Sequence, residues 1–136
     1  MTNRRTIVQA AIVAALLALF GGSLVLPTPA AAETMTWRVK SKYKYKVQVA
    51  FYSQDRRYEW PGGGDAYNLD DSDTHEYPIR CKEDEKICLG AWVTGNAKKY
   101  WGVGYNNSHG CKTCCFICGA GDIPTQVLND TDEDEE

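Results

Sequence analysis

The sequence predicts an all-β domain: a small, disulfide-stapled sandwich or open barrel with a cysteine-rich loop. Short strand candidates follow one another from Trp37 onward, separated by turns rich in Gly, Pro, Asp and Asn, and no helical periodicity interrupts them. All six cysteines also lie after an N-terminal segment with the layout of an export signal. Because exported cysteines usually become disulfides, the domain is expected to be cross-linked.

The N-terminal segment, residues 1–32, is predicted to be a signal peptide. It divides into a basic start, an apolar stretch over residues 7–26 and a small-residue end with the pattern Ala30-x-Ala32. We expect cleavage before Glu33 to leave a chain without a transmembrane anchor, located in the periplasm or secreted.

The sequence does not decide between the twin-arginine and the general secretory export routes. Arg4 and Arg5, followed by Thr6-Ile7-Val8-Gln9, resemble the twin-arginine motif, but a general secretory signal also needs a positive start. Twin-arginine substrates fold before export, so their thiols meet the reducing cytoplasm first. That route would favour a bound metal over disulfides.

The predicted mature chain is acidic. Two of the fifteen basic residues and none of the eighteen acidic residues lie in residues 1–32, so the remainder has a formal net charge of −5 and no nucleic-acid partner is expected. Six acidic residues lie among the last seven. Residues 130–136 are therefore expected to form a disordered acidic tail after a single domain over residues 33–129.

The first predicted strand is long and has two different faces. From Trp37 to Phe51, aromatic and β-branched side chains alternate with cations, which places the two sets on opposite faces. The stretch is two to three times the usual ~5 to 6 residues, which indicates a bend or a break. Its cationic face predicts an anion-binding stripe formed by Lys40, Lys42, Lys44 and Lys46. A charged face that discourages strand aggregation explains the same pattern.

Shorter strand candidates follow. Residues 110–122 are too rich in Cys and Gly for a regular strand, so they are expected to form an irregular loop. The strand candidates are residues 57–60, 66–69, 74–81, 86–93 and 98–105, with a short last strand within residues 123–128.

The cysteines predict three disulfides. Cys81 and Cys88 flank a turn in a predicted hairpin, which would bring them within bridging distance. Cys114 and Cys115 are adjacent and are expected to have different partners. The six cysteines allow fifteen pairings, and the sequence does not choose among them. The full set is Cys81, Cys88, Cys111, Cys114, Cys115 and Cys118.

A zinc site is the alternative. The segment from Cys115 to Gly119 has the C-x-x-C-G form of a zinc knuckle. The alternative ligand set is Cys81, Cys88, Cys115 and Cys118. An oxidising compartment favours disulfides and no cofactor. A thioredoxin-like redox pair at Cys111 and Cys114 would need a βαβ context, which the sequence lacks.

Few residues offer acid–base chemistry. The chain has only two histidines, His75 and His109, so few residues could serve as the base of a catalytic triad. The acidic run over residues 70–73 lacks the glycine and glutamate of a calcium loop and predicts a solvated turn. Four large aromatics would suit stacking on sugar rings, although filling a small β core is the favoured interpretation. They are Trp60, Tyr67, Trp92 and Trp101.

A resemblance covers residues 37–119. The segments FYSQDR from Phe51, EKICLGAW from Glu85 and WGVG from Trp101, together with the CxxCCxxC cluster from Cys111, resemble a small family of exported bacterial cysteine-rich domains of uncharacterised function. The resemblance implies a periplasmic or secreted bacterial setting, and it brings no catalytic residues.

The sequence therefore favours an exported, non-catalytic binding or structural module at the bacterial cell envelope. Its expected partner is an anionic envelope polymer or another exported protein. A zinc-binding exported domain and a small secreted hydrolase are the alternatives. A cleft that gathers His75 or His109 with a carboxylate would favour the enzyme.

Overall fold

The computed structural model describes residues 21–26 and 32–130. Most of the predicted signal peptide, and the predicted acidic tail beyond Asp130, lie outside the described residues. Residues 21–26 are exposed and have no regular secondary structure. Within the described ranges, no helix is long and apolar enough to cross a membrane.

The described part of the chain is all-β, as predicted. It contains nine strands and one short 3₁₀ helix over Tyr105–Asn107. The strands are β1 (Ala32–Ser41), β2 (Val47–Ser53), β3 (Glu59–Trp60), β4 (Tyr67–Leu69), β5 (Thr74–Lys82), β6 (Lys86–Val93), β7 (Asn96–Gly102), β8 (Cys115–Ile117) and β9 (Gln126–Leu128).

The strands form two sheets that do not close into a barrel. The three-stranded sheet has the order β5-β1-β9, with β1 antiparallel to β5 and parallel to β9. The larger sheet has the path β3-β2-β6-β7, with β4 added to β2 and β8 added to β6. Buried side chains from both sheets form one core.

The predicted break in the first strand lies between Ser41 and Val47, where the chain leaves one sheet for the other. The Ser41 hydroxyl is buried and accepts the backbone N–H of Tyr43 at 3.2 Å. Trp37 in β1 and Phe51 in β2 then meet across the core with ring centroids 4.8 Å apart. Apolar residues alternate on both sides of the break because β1 and β2 face the same core, whereas Tyr45 within the break is exposed.

The predicted irregular loop over residues 110–122 is partly wrong, because it contains strand β8. Three residues of β8 pair antiparallel with the start of β6, and Cys88 lies opposite Cys115. The backbone pairing and the Cys88–Cys115 bridge hold this short segment extended despite its composition.

Three disulfides are present, and their connectivity corrects the predicted hairpin. Cys81 is bonded to Cys118, Cys88 to Cys115, and Cys111 to Cys114. Cys81 and Cys88 do not pair because β5 and β6 belong to different sheets and form no hairpin. Cys114 and Cys115 have different partners, as predicted.

Candidate ligand groove

A surface groove of about 690 Å³ lies beyond the end of β2. Its residues come from three segments: the end of β2 with the following turn and β3, the Pro-Gly turn after β3, and the 3₁₀ helix. The lining residues are Tyr52, Ser53, Arg56, Arg57, Tyr58, Glu59, Pro61, Gly62, Gly63, Asn106 and Asn107. We call this site the ligand groove.

A salt bridge between Arg56, which lines the ligand groove, and the buried Glu85 holds Arg56 in place. Glu85, in the turn between β5 and β6, is only 4% exposed. Its carboxylate accepts hydrogen bonds from Nε and Nη2 of Arg56, from the Ser53 hydroxyl at 2.7 Å and from the backbone N–H of Lys82 at 3.0 Å. Burial by itself raises the pKa of Glu85, but these hydrogen bonds outweigh it and hold the pKa at about 2. The carboxylate is therefore ionised at neutral pH.

The turn after β2 is locked by its own side chains. The Ser53 hydroxyl oxygen accepts the backbone N–H groups of Asp55 and Arg56, both at 3.2 Å. The Asp55 carboxylate accepts the backbone N–H of Lys86 at 2.7 Å. Short polar side chains commonly bond nearby backbone groups in this way at turns. This turn fixes where Arg56 enters the ligand groove.

Tyr58 provides an aromatic wall. The Arg56 guanidinium carbon lies 4.3 Å from the centroid of the Tyr58 ring, and that ring meets Trp60 edge-on at 4.9 Å. Trp60 is buried, whereas Tyr58 is 50% exposed. Tyr58 is thus held by two neighbours and still presents ring surface to the solvent.

Asn106 and Asn107 also line the ligand groove and form a second wall. Both have left-handed backbone conformations, with φ of 55° and 54°, which asparagine tolerates better than most residues. The backbone N–H of Asn106 donates to the Tyr52 hydroxyl at 3.1 Å, and Gln54 Nε2 donates to Asn107 Oδ1 at 3.1 Å. Burial raises the pKa of Tyr52, so its hydroxyl stays protonated.

The charges in the ligand groove nearly balance. Arg56 is neutralised by Glu85, which leaves Arg57 and Glu59 among the lining residues. The Glu59 carboxylate accepts the backbone N–H of Gly64 at 3.1 Å. A site of this kind suits an uncharged polar ligand better than a strong anion.

The four aromatics predicted from the sequence belong mainly to the core. Trp60 and Trp92 are buried, and Tyr67 packs on Tyr77 with ring centroids 4.5 Å apart. Trp101 donates from its indole N–H to the carbonyl oxygen of Asn129 at 2.9 Å. Sequence reasoning missed Tyr58, because only the end of β2 and the fold of the turn distinguish it from the other tyrosines.

The four predicted lysines do not share one strand face. Lys40 lies on β1, whereas the other three are exposed in the connection between the sheets: Lys42, Lys44 and Lys46. Tyr45 in this connection is 59% exposed, with the Lys44 ammonium 5.2 Å from its ring centroid. We call residues 40–46 the lysine segment. It lies at the other end of β2 from the ligand groove, ~20 Å away for a strand of this length.

Neither histidine lines the ligand groove. His75 Nε2 lies 2.7 Å from the Asp71 carboxylate near the exposed start of β5. The hydrogen bond with His75 lowers the pKa of Asp71. The Asp71 carboxylate also accepts the backbone N–H of Asp73 at 3.0 Å, and residues 71–73 form a bend, consistent with the predicted turn. His109 stacks on Tyr100 with ring centroids 3.8 Å apart.

The cysteine cluster differs from the predicted zinc set. The four predicted ligands form the Cys81–Cys118 and Cys88–Cys115 bridges. The sulfurs that lie together belong instead to Cys88, Cys114 and Cys115, all within 4.8 Å of one another. Zinc binds cysteine as thiolate, so this cluster would become a ligand set only after reduction.

No protein-family model, curated protein or solved structure matches the chain. Function is therefore inferred from the residues of the ligand groove and their surroundings.

Proposed function

We propose that the chain is an exported, non-catalytic binding module of the bacterial cell envelope, and that the ligand groove takes uncharged sugar units of an envelope polysaccharide. The observation that carries the proposal is Tyr58, half-exposed in the ligand groove and fixed by Arg56, which is itself held by the buried Glu85.

The chemistry of the ligand groove suits a saccharide. A sugar ring presents C–H groups that pack on an aromatic face, and hydroxyls that exchange hydrogen bonds with amide side chains. Tyr58 supplies the aromatic face, and Asn106 and Asn107 supply amides in the same groove. Both walls are already ordered by hydrogen bonds and ring contacts, so binding would lose little conformational entropy.

The same residues support binding over catalysis. The Ser53 hydroxyl donates to Glu85, and Glu85 has a pKa of about 2, far below the range that suits a general base at neutral pH. The His75–Asp71 pair, which would favour a hydrolase, lies on an exposed strand end and not among the lining residues.

Three observations support export to an oxidising compartment. The three disulfides are of the kind found in extracytoplasmic proteins. Residues 1–32 have the layout of a signal peptide, and the sequence resembles exported bacterial domains.

Co-sedimentation with purified peptidoglycan tests the proposal. Salt of ~1 M reduces the screening length to ~3 Å and so removes most binding through exposed lysines. Under these conditions Tyr58→Ala should weaken binding roughly fivefold to tenfold, as expected for the loss of about 1 kcal/mol of ring contact.

The matched control is Tyr45→Ala, which removes an exposed tyrosine at the other end of β2. It should bind peptidoglycan like the unaltered protein at high salt. Equal binding by the Tyr58→Ala variant, or no binding by the unaltered protein, would refute the saccharide assignment.

A further inference from the structure

Two disulfides meet beside strand β6. Cys114 belongs to the Cys111–Cys114 bridge, yet its sulfur lies 3.9 Å from the sulfur of Cys115. It also lies within 4.8 Å of the Cys88 sulfur. Cys88 and Cys115 form the neighbouring bridge. One sulfur of the first bridge therefore lies close to both sulfurs of the second.

Each of the two bridges joins a half-buried cysteine to a buried one. Cys111 and Cys115 are half-buried, whereas Cys114 and Cys88 are buried. Within the Cys111–Cys114 bridge, a thiolate arriving from solvent thus reaches Cys111 more readily than Cys114. The backbone N–H of Cys114 donates to that sulfur at 3.1 Å, which would stabilise a Cys111 thiolate after reduction. Access favours attack at Cys111 within this bridge, and the hydrogen bond to its sulfur favours the bridge's opening.

The backbone holds Cys114 in place independently of its disulfide. The carbonyl oxygen of Cys114 accepts the N–H of Leu89 at 2.9 Å, and the next residue, Cys115, lies opposite Cys88 in the sheet. Opening the Cys111–Cys114 bridge would therefore leave the Cys114 sulfur beside the Cys88–Cys115 bridge.

We propose that this cluster is a thiol–disulfide exchange site that reacts once, and so without turnover, with an exposed dithiol of another protein as its substrate. In the first step, one substrate thiolate attacks Cys111 Sγ, a mixed disulfide forms, and Cys114 leaves as a thiolate. The second substrate thiol then loses its proton and attacks its own mixed-disulfide sulfur. This releases the oxidised substrate and the Cys111 thiol, so that two electrons have moved from the substrate to the Cys111–Cys114 pair.

The step that follows release of the substrate takes place within the chain. The Cys114 thiolate attacks Cys88 Sγ, a Cys88–Cys114 bond forms, and Cys115 leaves as a thiolate that takes up a proton. This step involves no net oxidation. The product has one disulfide where there were two, with thiols at Cys111 and Cys115.

Two single variants of the full chain, purified under oxidising conditions, test the internal step without added reductant. Cys111→Ser leaves Cys114 with a free thiol inside the cluster. Acid quenching, thiol labelling and tandem mass spectrometry should then find both Cys88–Cys115 and Cys88–Cys114 bridges, with the minor form at ~10% or more, which is a tenfold ratio.

Cys114→Ser is the matched control, because it leaves an equally new thiol at Cys111, which is outside the cluster of three sulfurs. In this variant Cys88 should be found bonded only to Cys115, and no rearranged bridge should form. A free thiol confined to Cys114 in the first variant, or the same degree of rearrangement in both variants, would overturn the internal step.

Partial reduction of the unaltered protein tests the external step, with dithiothreitol as the probe. After one equivalent of dithiothreitol, a thiol-labelling reagent should modify Cys111 first, together with Cys115 or Cys114, while Cys81–Cys118 stays intact. Reduction of Cys81–Cys118 before Cys111–Cys114, or the absence of any labelling at Cys111, would overturn the proposal. Neither result bears on the ligand groove, which shares no residue with the cluster.

Discussion

Arg56 and Glu85 join two turns that lie 29 residues apart in the chain. Arg56 follows β2 and Glu85 precedes β6, and two guanidinium nitrogens bind the two carboxylate oxygens. The salt bridge thus fixes the base of the ligand groove to the pair of strands at the centre of the larger sheet. Groove shape and domain stability consequently depend on the same contact.

Replacing Glu85 with Gln should destabilise the domain. The change removes a buried negative charge that faces Arg56 and replaces one acceptor oxygen by an NH₂ donor. We expect the free energy of unfolding at pH 7 to fall by roughly 1.5 to 3 kcal/mol, the range for hydrogen bonds to charged groups. Urea denaturation of both proteins measures the difference.

The loss should depend on pH. Folding lowers the pKa of Glu85 from 4.5 to about 2, so its contribution is complete above pH 4.5 and is lost as the pH falls toward 2. The two proteins should therefore become more similar in stability on acidification. Glu83→Gln is the control, since this exposed carboxylate in the same turn should change stability by less than ~0.5 kcal/mol. A difference for Glu85→Gln that is constant from pH 7 to pH 3 would contradict the assignment.

The three disulfides should differ in their contributions to stability. Cys81–Cys118 and Cys88–Cys115 join residues 37 and 27 apart, whereas Cys111–Cys114 spans a separation of 3. The entropy of the unfolded chain predicts roughly 3.5 to 4 kcal/mol for each long bridge and roughly 1.5 kcal/mol for the short one. Double Cys→Ala variants of each pair, compared by denaturant unfolding, measure the order. A larger loss for the short bridge would be inconsistent with this account.

The lysine segment should bind anionic surfaces. Three of its four lysines are exposed and Lys40 is half-buried, so binding to vesicles containing phosphatidylglycerol should weaken as salt rises, since exposed charges are screened over ~8 to 10 Å at physiological ionic strength. Changing all four lysines to Gln should abolish the salt-dependent part, and a chain ending at Asn129, without the acidic tail, should bind more tightly. The four lysines are Lys40, Lys42, Lys44 and Lys46.

A matched control changes four exposed lysines elsewhere to Gln and so removes the same charge. They are Lys82, Lys86, Lys98 and Lys112. Equal loss of binding in the two variants would mean that net charge, and not the lysine segment, determines the interaction.

Local pattern was enough to predict most strands. The alternation of Trp37 and Val39 with polar residues gave the second half of β1, which begins five residues earlier than predicted, and the predicted strand over residues 86–93 has the bounds of β6. Such patterns depend on which face of a strand is buried, and this information lies within a few residues of the chain.

The disulfide pairing required long-range information. Cys81 and Cys88 are close in the chain, but β5 pairs with β1 and β6 pairs with β2, so the two cysteines enter different sheets. No local pattern encodes that separation. The pairing of Cys81 with Cys118 follows from the arrangement of both sheets.

The ligand groove was beyond sequence reasoning for the same reason. Tyr58 and Asn107 are 49 positions apart, and they line one site because the 3₁₀ helix returns to the end of β2. Conversely, the lysine pattern suggested one continuous face, which the turn after Ser41 interrupts. The rotation of the chain at that break could not be obtained from the alternation alone.

The most direct test of an exported, disulfide-stapled module is the intact mass of the protein recovered from outside the cytoplasm, measured without reductant. We expect the mass of residues 33–136 less about six mass units, because each of three bridges removes two hydrogens, and we expect no stoichiometric zinc. A full-length chain recovered in membranes, or six free thiols with one bound metal ion, would contradict it.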